Sequence, residues 1–492
     1  MPAWHHFPIF MITVPLVCAV LLPMLGYFRS KWVPYAAAVP LGISTLLGLL
    51  MIGRIPSDGY LSYQLGGWAP PWGIEIRLDF MGYFLMMIVC SISLLALIAS
   101  WRYISKEVTG GRLIAYYTLF LLLSGSMLGF VATGDIFNLF VFMEILAISS
   151  YALVAITGNR NAVRAAFKYL LMGAPSSIMV LLAIAFLYSV TGSLNMADLA
   201  GKIQLSEYTQ ILTVAYILLV VGFSVKAALF PLHMWLPDAH SIAPSPISAM
   251  LSGLVVEVAA FAIIRVTLSL FTTGAEGIIA GTVDVLSIAA AAVLFGGIMA
   301  ILQKDLKVMI AYSTISHIGY IFLGFTALTP EGVAGSMYHM LDHGLAKACI
   351  FLCAGCFIYV KGYRRIDQLK GAWQQMPFTC FAFALAVWSV IGLPPSAGFV
   401  SKWTLIVGNI EAGRELYVVI LLVGAILAAV YCFRIIYYMF FQPGEEGAWE
   451  NRVHDAPRSM LIPIWLLSIG TLVFGLTWFI VERLIEAAKF LL

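Results

Sequence analysis

The sequence predicts an all-α polytopic membrane protein, and three observations lead to this fold class. The chain has 492 residues, of which 62% are hydrophobic and only 10% are charged. Soluble domains carry about 25% charged residues. The apolar residues are grouped in runs of roughly 20, the length of helix that crosses a hydrocarbon core of about 30 Å. The connections between the runs are short, so we expect no separate soluble domain.

Composition and motifs also exclude several functional classes. The formal net charge is only +3 and the charges are scattered, which argues against a nucleic-acid-binding surface. Cys353 and Cys356 have the spacing of half a metal site, but no second Cys or His pair accompanies them in a polar loop, so we expect no metal. We also expect no cofactor, because the chain has no Gly-rich nucleotide loop. The first apolar run lacks a basic flank and a clear cleavage site, which predicts a retained helix.

The apolar runs predict 14 membrane-spanning helices. Their ranges, in chain order, are 7–27, 33–53, 78–100, 113–132, 136–157, 165–190, 210–230, 244–269, 281–302, 308–328, 335–359, 379–406, 416–439 and 460–482. Fifteen Lys and Arg residues follow odd-numbered helices: Arg29, Lys31, Arg102, Lys106, Arg112, Arg160, Arg164, Lys304, Lys307, Lys361, Arg364, Arg365, Lys370, Arg452 and Arg458. Four follow even-numbered helices: Arg54, Arg77, Lys202 and Arg414. Because cytoplasmic loops carry the excess of positive charge, we expect a cell inner membrane protein with both termini outside.

Two of these predicted helices contain helix-breaking residues close to a lysine. In "SVKAALFPLHMWLPDAHSIAPSPISAM", Lys226 precedes Pro231 on helix 7. In "SVIGLPPSAGFVSKWTL", Pro394 and Pro395 precede Lys402 on helix 12. Proline frees a backbone carbonyl, which a membrane tolerates only where protein or water satisfies it. Two interrupted helices in corresponding halves indicate an internal repeat with the working site at the breaks.

Several ionisable residues are predicted to lie inside the membrane. In "GDIFNLFVFMEILAISSYALVA", Glu144 follows Asp135 by nine residues, about 13 Å along a helix and hence near mid-depth. The candidate site residues, from helix 5 to helix 12, are Glu144, Lys226, Glu257, His317, His339, His343, Lys347 and Lys402. The three on helix 11 are spaced i, i+4, i+8 and so share one face. Such residues mark ion or proton pathways, and histidine exchanges protons near neutral pH.

Structural explanations stand beside this interpretation. One Glu144–Lys226 pair can simply lock two helices together, and His317 alone can be a packing residue. Three residues are expected near helix ends, where capping or snorkelling explains them: Asp135, Asp342 and Arg265. Three more are expected in a cytoplasmic loop, or at the inner mouth of a pathway: Lys304, Asp305 and Lys307. The whole set, spread over at least five helices, favours a conduction path because helix association does not need so many costly groups.

At these residues the sequence resembles the antiporter-like membrane subunits of respiratory complex I, membrane-bound hydrogenases and Mrp cation/proton antiporters. The motifs are "GDIFNLFVFMEI", "KAALFPLHMWLPDAHSIAPSPISAMLSG", "DLKVMIAYSTISHIGY" and "GLPPSAGFVSKW", and they cover helices 4 to 12. The first motif and the chain length are most similar to the MrpD branch of the family. The resemblance implies 14 helices with two inverted five-helix repeats, helices 4–8 and 9–13. The corresponding divisions are 1–112, 113–271, 272–440 and 441–492.

The resemblance also implies roles for five residues: Glu144, Lys226, His317, Lys347 and Lys402 match the family's ionisable positions on helices 5, 7, 10, 11 and 12. Glu144 is then the acidic partner that holds Lys226 protonated. One position departs from the pattern, since helix 8 usually has a lysine where this chain has Glu257. An ionised carboxylate there offers oxygen ligands for Na⁺ as well as a proton acceptor.

Three functions follow from the sequence. The first is a subunit of a multisubunit Na⁺/proton antiporter, not itself an enzyme. The second is the proton-pumping subunit of a redox-driven complex, either an NADH-quinone oxidoreductase or a membrane-bound hydrogenase, with the redox chemistry on other chains. The third is a scaffold, which the number of buried charges argues against. The expected partners are other membrane subunits, protons, Na⁺ and the lipid bilayer, with no nucleic acid; the subunits that co-purify distinguish the first two functions.

Overall fold

The computed structural model describes residues 3–271, 286–444 and 454–492. We number its helices α1 to α18 in chain order. Their bounds are Phe7–Arg29, Val33–Leu50, Phe80–Glu107, Gly111–Ala132, Ile136–Val154, Arg160–Thr191, Met196–Gln204, Thr209–Lys226, Trp235–Ile242, Ser245–Phe271, Ala289–Leu302, Leu306–Phe325, Pro330–Lys361, Pro377–Ile391, Ala397–Glu411, Glu415–Phe441, Arg458–Gly475 and Trp478–Leu491. Short 3₁₀ turns lie at Ala3–His6, Ser30–Trp32, Leu65–Gly67, Ile366–Leu369 and Ala372–Gln374. The fold is therefore mostly helical, as predicted.

The helices agree in position with the predicted spans. In the described ranges, 11 helical segments are long and apolar enough to cross a bilayer, and the first of them, Trp4–Leu50, contains both α1 and α2. Two apolar helices are shorter, α11 and α14. The predicted start of helix 9, 281–285, lies outside the described residues, as does Arg452. Predicted helix 14 ends early, at Gly475, and α18 follows as a separate helix. The number of crossings, 14, stays a prediction.

The structure adds two elements that the scan for apolar runs does not detect. Strands β1 (Tyr60–Gln64) and β2 (Glu75–Asp79) form an antiparallel hairpin between α2 and α3. The short helix α7 lies between α6 and α8. A side-chain contact fastens the hairpin to the start of α7, since Asn195 Nδ2 donates to Glu75 Oε2 at 3.0 Å. Both elements are too short to cross a membrane, so they do not alter the polytopic assignment.

Polar caps begin several of the long helices. Asp135 precedes α5, Asp305 precedes α12 and Ser396 precedes α15. In each case the side chain accepts a hydrogen bond from the backbone N–H three residues later, which satisfies a donor that the helix leaves unpaired. The prediction that Asp135 lies at a helix end is confirmed.

Three helices form the centre of the bundle. Within the 18-residue apolar stretch of each helix, the buried share of the residues is 100% in α10, 89% in α12 and 83% in α13. Outer helices are far more exposed: in the corresponding stretch of α16, only 28% of the residues are buried. Five of the eight candidate site residues lie on the three central helices: Glu257, His317, His339, His343 and Lys347. They are therefore held by protein on every side.

Both predicted interruptions are present. Helix α8 ends at Lys226, and α9 begins only at Trp235. Helix α14 ends at Ile391, where Gly392 adopts a left-handed backbone with φ of +89°, and α15 begins at Ala397. The backbone carbonyls freed at each break receive side-chain donors, as expected inside a membrane. At the first break Trp235 Nε1 donates to Val225 O at 2.8 Å.

Candidate functional site

Lys226 ends α8 inside the protein and is 2% exposed. Its Nζ donates to the Tyr151 hydroxyl on α5 at 2.9 Å. A glycine on α6 makes room for this contact, because a Cβ at Gly173 would lie 1.8 Å from the Tyr151 hydroxyl oxygen and 3.3 Å from Lys226 Nζ. Sequence reasoning missed Tyr151. The signal was its spacing of seven residues from Glu144, which places both on one face of α5.

Glu144 is the ninth residue of the 19-residue helix α5 and so lies at the middle of that helix. Its side chain is partly exposed, and Oε1 is buried without a hydrogen-bond partner among the residues that the structure describes. Glu144 and Lys226 interact electrostatically, but the lysine donates to Tyr151 rather than forming a direct ion pair. The role of Glu144 as the partner of Lys226 stays a prediction.

Glu257 and His343 are in direct contact at the centre of the bundle. Glu257 Oε1 lies 2.6 Å from His343 Nδ1, and both side chains are 0% exposed. The backbones of α10 and α13 touch beside them, since a Cβ at Gly344 would lie 3.0 Å from Gly253 O. Small residues allow such close helix approach in membranes. Glu257 therefore reaches the helix 11 strip, as expected, while Oε2 has no partner within the described residues.

Two further histidines, His317 and His339, extend the Glu257–His343 contact into a cluster. The His343 and His317 rings stack with centroids 5.4 Å apart. His317 Nδ1 lies 3.0 Å from His339 Nε2, and His339 Nδ1 lies 3.0 Å from Ser401 Oγ on α15. His317 is thus part of the cluster instead of an isolated packing residue. The line of contacts runs from α10 through α13 and α12 to α15.

Lys347 is not part of this line of contacts and binds to a residue of α12 instead. Its Nζ donates to Ser313 Oγ, and Ser313 Oγ lies 2.8 Å from the Tyr431 hydroxyl on α16. These three residues border a cavity of about 10 Å³, roughly the space of one water molecule. Lys347 is therefore a second branch of the polar centre.

Lys402 lies on α15 beside the second helix break, as predicted. Its Nζ donates to Val390 O and Ile391 O, both at 2.9 Å. These carbonyls end α14, so the ammonium group satisfies acceptors that the interruption leaves free. The same Nζ lies 4.9 Å from the centre of the Tyr320 ring, which connects Lys402 to α12.

The expectation that Asp342 lies near a helix end is wrong. It occupies the interior of α13 and is 0% exposed. Ser389 Oγ donates to Asp342 Oδ1, and the Gly398 N–H donates to Ser389 Oγ at 3.1 Å. Oδ2 has no partner among the described residues, and the carboxylate interacts electrostatically with Lys402. In the sequence, the burial of Asp342 was indicated by its position next to His343, on a helix already rich in ionisable groups.

The assignment of Lys307 to a loop is also wrong, because it lies in the first turn of α12 and is 4% exposed. Its Nζ donates to Ala243 O. Nearby, His240 is 0% exposed, and neither ring nitrogen has a partner in the described part of the chain. His240 interacts electrostatically with Lys307 and Lys347. Sequence reasoning missed His240, which lies in the quoted helix 7 motif.

Arg265 lies towards the end of α10, as expected, but neither capping nor snorkelling describes its contacts. It is 6% exposed, with Nη1 donating to Val131 O at 3.2 Å and Nη2 donating to Arg77 O at 2.7 Å. Asp79 Oδ2 lies 3.5 Å from Nη2. Arg265 therefore joins α10 to the hairpin and is occupied by structural contacts.

A polytopic helical bundle with buried ionisable side chains on several of its helices is typical of an ion-translocating membrane subunit of antiporter type. The chain belongs to the family described as NADH:quinone oxidoreductase/Mrp antiporter, TM, which it matches over residues 132–428. The matched range contains every candidate site residue.

Named relatives come from both branches of this family. The N subunit of the NADH-quinone oxidoreductase of Desulforudis audaxviator (strain MP104C) is 39% identical over 489 residues, which cover 96% of each chain. The D subunit of the Na⁺/H⁺ antiporter of Bacillus subtilis (strain 168) is 30% identical over 474 residues, covering 96% of this chain and 94% of that relative.

The fold has a close match among solved structures. A chain of the membrane-bound sulfane sulfur reductase, an archaeal respiratory membrane complex, superimposes with a TM-score of 0.90 at 31% identity. The match covers 98% of this chain and 99% of that one. Structural relatives of this chain are therefore subunits of multisubunit membrane complexes.

Proposed function

We propose that this chain carries protons across the membrane along its buried ionisable side chains, as one subunit of a multisubunit complex. The contact between Glu257 and His343 carries the proposal. It joins α10, the last helix of the first predicted repeat, to α13 in the second, and both partners can hold or release a proton. A pair that only held two helices together would not need two further histidines, His317 and His339, packed next to it.

The path has a first-half and a second-half segment. In the first half, Lys226 donates a hydrogen bond to Tyr151, and the Glu144 carboxylate interacts electrostatically with the lysine. A shift of the Lys226 amine from Tyr151 towards Glu257 delivers a proton to the Glu257–His343 pair. The described structure contains no direct hydrogen bond between Lys226 and Glu257, so this transfer needs movement or water.

In the second half the proton has two branches. One follows His343, His317 and His339 to Ser401, which precedes Lys402 in the chain. The His343 and His317 rings are stacked and share no hydrogen bond among the described residues, so transfer between them needs a bridging water molecule or a ring rotation. The other begins at Lys347, four residues after His343 on the same face of α13, and continues to Ser313 and Tyr431. Lys347 has no hydrogen bond to His343 among the described residues, so the proton reaches Lys347 through water or by movement. Because each added proton repels protons on adjacent cations, occupancy of one site changes the affinity of the next. Asp342 joins the first branch as the carboxylate beside Lys402.

The transport reaction that we propose is exchange of a monovalent cation, Na⁺, for protons, supported by the relative that is named as part of a Na⁺/H⁺ antiporter. A redox-driven proton pump is the second candidate, and a specific observation favours it: the relative at 39% identity is named as part of an NADH-quinone oxidoreductase. The buried path serves either function, because ion gradients drive the first and redox chemistry on other chains drives the second.

The decisive experiment purifies the complex through a tag on this chain, identifies its subunits and places it in sealed vesicles with an internal pH dye. An antiporter moves protons when a Na⁺ gradient alone is imposed. A redox-driven pump moves protons only when an electron donor and a quinone or sulfur acceptor are supplied. Proton movement in neither assay, from an intact complex, contradicts the proposed function.

We propose, further, a cell inner membrane location with both termini outside and two inverted repeats, 113–271 and 272–440, flanked by 1–112 and 441–492. The Lys and Arg distribution supports the orientation. The parallel positions of Lys226 and Lys402, each beside an interrupted helix, support the repeats. The start of the second repeat, 272–285, lies outside the described residues. Reaction of a single cysteine introduced at Arg29 with an impermeant reagent from the cytoplasmic side only tests the orientation.

A further inference from the structure

A basic cleft lies at one end of the bundle. It has two adjoining chambers that share Asn161 and Ile242. The first chamber, about 250 Å³, is lined also by Asn159, Arg160 and Arg364. The second, about 280 Å³, is lined also by Arg164, Ala165, Lys168, Asp238 and Ser241. We call the two chambers together the basic cleft. It is formed by the beginning of α6, the end of α9 and the chain that follows α13.

The cleft carries more cations than counter-charges. Arg160, Arg164 and Lys168 are spaced i, i+4, i+8 and so share one face of α6. Lys168 is paired, with Nζ 2.6 Å from Asp238 Oδ2. In the described ranges the guanidinium groups of Arg160, Arg164 and Arg364 have no hydrogen-bond acceptor or ion-pair partner. Four cations thus face a single carboxylate.

An apolar, exposed surface lies on the same helix as the cleft. Along α6, Val163 is 53% exposed, Phe167 is 56% exposed and Leu171 is 56% exposed. These residues lie between and beyond the basic positions of the same helix. A ligand in the cleft therefore meets free guanidinium groups at one end and an acyl-chain surface at the other. Guanidinium recognises phosphate through paired hydrogen bonds.

We propose that the basic cleft binds the phosphate headgroup of an anionic phospholipid, with the acyl chains lying along Phe167 and Leu171. Each chamber contains cationic groups, so a lipid with two phosphates, such as cardiolipin, occupies both. A basic pocket between membrane helices next to a lipid surface is a setting in which such headgroups bind. The proposal does not depend on the ion path, because no cleft residue belongs to it.

The test uses the purified complex that contains this chain, stripped of endogenous lipid and placed in phosphatidylcholine nanodiscs. Cardiolipin, phosphatidylglycerol or inorganic pyrophosphate is then added, and bound ligand is measured by native mass spectrometry. The variant is the triple change Arg160→Gln, Arg164→Gln and Arg364→Gln. The matched control is Arg29→Gln, an arginine at the end of α1. All four positions are exposed, so the fold should tolerate the changes, and thermal unfolding checks this.

We expect cardiolipin to bind the wild type and Arg29→Gln, and phosphatidylglycerol to bind them more weakly. The triple variant should bind cardiolipin roughly 10²-fold more weakly, about fivefold for each lost cation. Unchanged cardiolipin binding by the folded triple variant overturns the proposal. Pyrophosphate binding as tight as cardiolipin binding identifies a free-phosphate site and also overturns it. No cardiolipin binding by the wild type, because a partner's acidic segment fills the cleft, does so as well.

Discussion

Glu257 and His343 meet with 2.6 Å between Oε1 and Nδ1, at a point where the backbones of α10 and α13 touch. Breaking a buried hydrogen bond leaves a polar group unsatisfied and costs about 1–3 kcal/mol, so the contact has structural value wherever it occurs. Its position adds a functional meaning, since each partner belongs to a different predicted repeat. Among the described contacts of the eight candidate residues, this pair is the only direct side-chain contact between the two predicted repeats. We therefore infer that protons pass between the halves at this pair.

We predict that Glu257→Gln lowers proton movement by roughly 10²-fold, the size of effect expected when a proton-transfer group is lost. Glutamine keeps the shape and can still accept a hydrogen bond from His343, so the complex should assemble. Glu257→Lys should fail as well, because it replaces the carboxylate that contacts His343 with an ammonium group. The measurement is proton flux in vesicles at equal amounts of complex, with the exposed Glu415→Gln as control. Wild-type rates and an unchanged pH dependence in both variants would remove Glu257 from the path.

Lys226 and Glu144 are predicted to be essential for transport but not for assembly. Lys226→Ala removes the group that Tyr151 holds, and Glu144→Ala removes the carboxylate that acts on it. Each change should abolish proton movement, while Lys202→Ala, at a partly exposed lysine on α7, should leave it intact. Tyr151→Phe should have a smaller effect, because the lysine loses one hydrogen-bond acceptor but keeps its charge. Near-normal flux in Lys226→Ala or Glu144→Ala, at normal protein levels, would contradict the assigned roles.

Gly173 gives a test of the Lys226–Tyr151 contact that changes neither of these two residues. A methyl group there would lie 1.8 Å from the Tyr151 hydroxyl, so Gly173→Ala must displace the tyrosine. Overpacking of this kind costs about 1–3 kcal/mol. We expect a lower unfolding temperature and reduced flux. Gly42→Ala is the matched control, since a Cβ at that helical glycine meets nothing within 4 Å. Normal stability and flux in Gly173→Ala would show that Tyr151 is not held as the structure places it.

Much of the fold follows from run length alone, because an apolar helix must have about 20 residues to cross the membrane whatever its neighbours. The interruptions at Lys226 and Pro394 also follow, since proline and glycine act locally. The hairpin and α7 do not, because they are too short for the length criterion. The contacts of Tyr151 and the burial of Asp342 depend on how each helix is rotated. Rotation is decided by neighbouring helices that are distant in sequence, such as α14, which supplies Ser389.

Asp342 should be a working member of the second-half branch. Its Oδ1 is held by Ser389, while Oδ2 has no partner in the described structure and interacts with the cation of Lys402. A carboxylate in this position can take a proton when Lys402 loses one, which helps the lysine to release its proton without leaving a buried charge alone. Asp342→Asn keeps the hydrogen bond from Ser389 but loses the exchangeable proton. We expect flux to fall by at least about tenfold, and its pH dependence to change, with little loss of stability.

A second variant separates this working role of Asp342 from a purely structural one. Ser389→Ala should lower stability by about 1–3 kcal/mol, because it leaves Asp342 Oδ1 without its donor. The carboxylate itself remains, so Ser389→Ala should transport better than Asp342→Asn. Flux against pH and thermal unfolding are measured side by side for both variants and for the exposed Asp58→Asn. If Asp342→Asn unfolds more easily yet transports with the wild-type pH profile, Asp342 only holds α13 against α14.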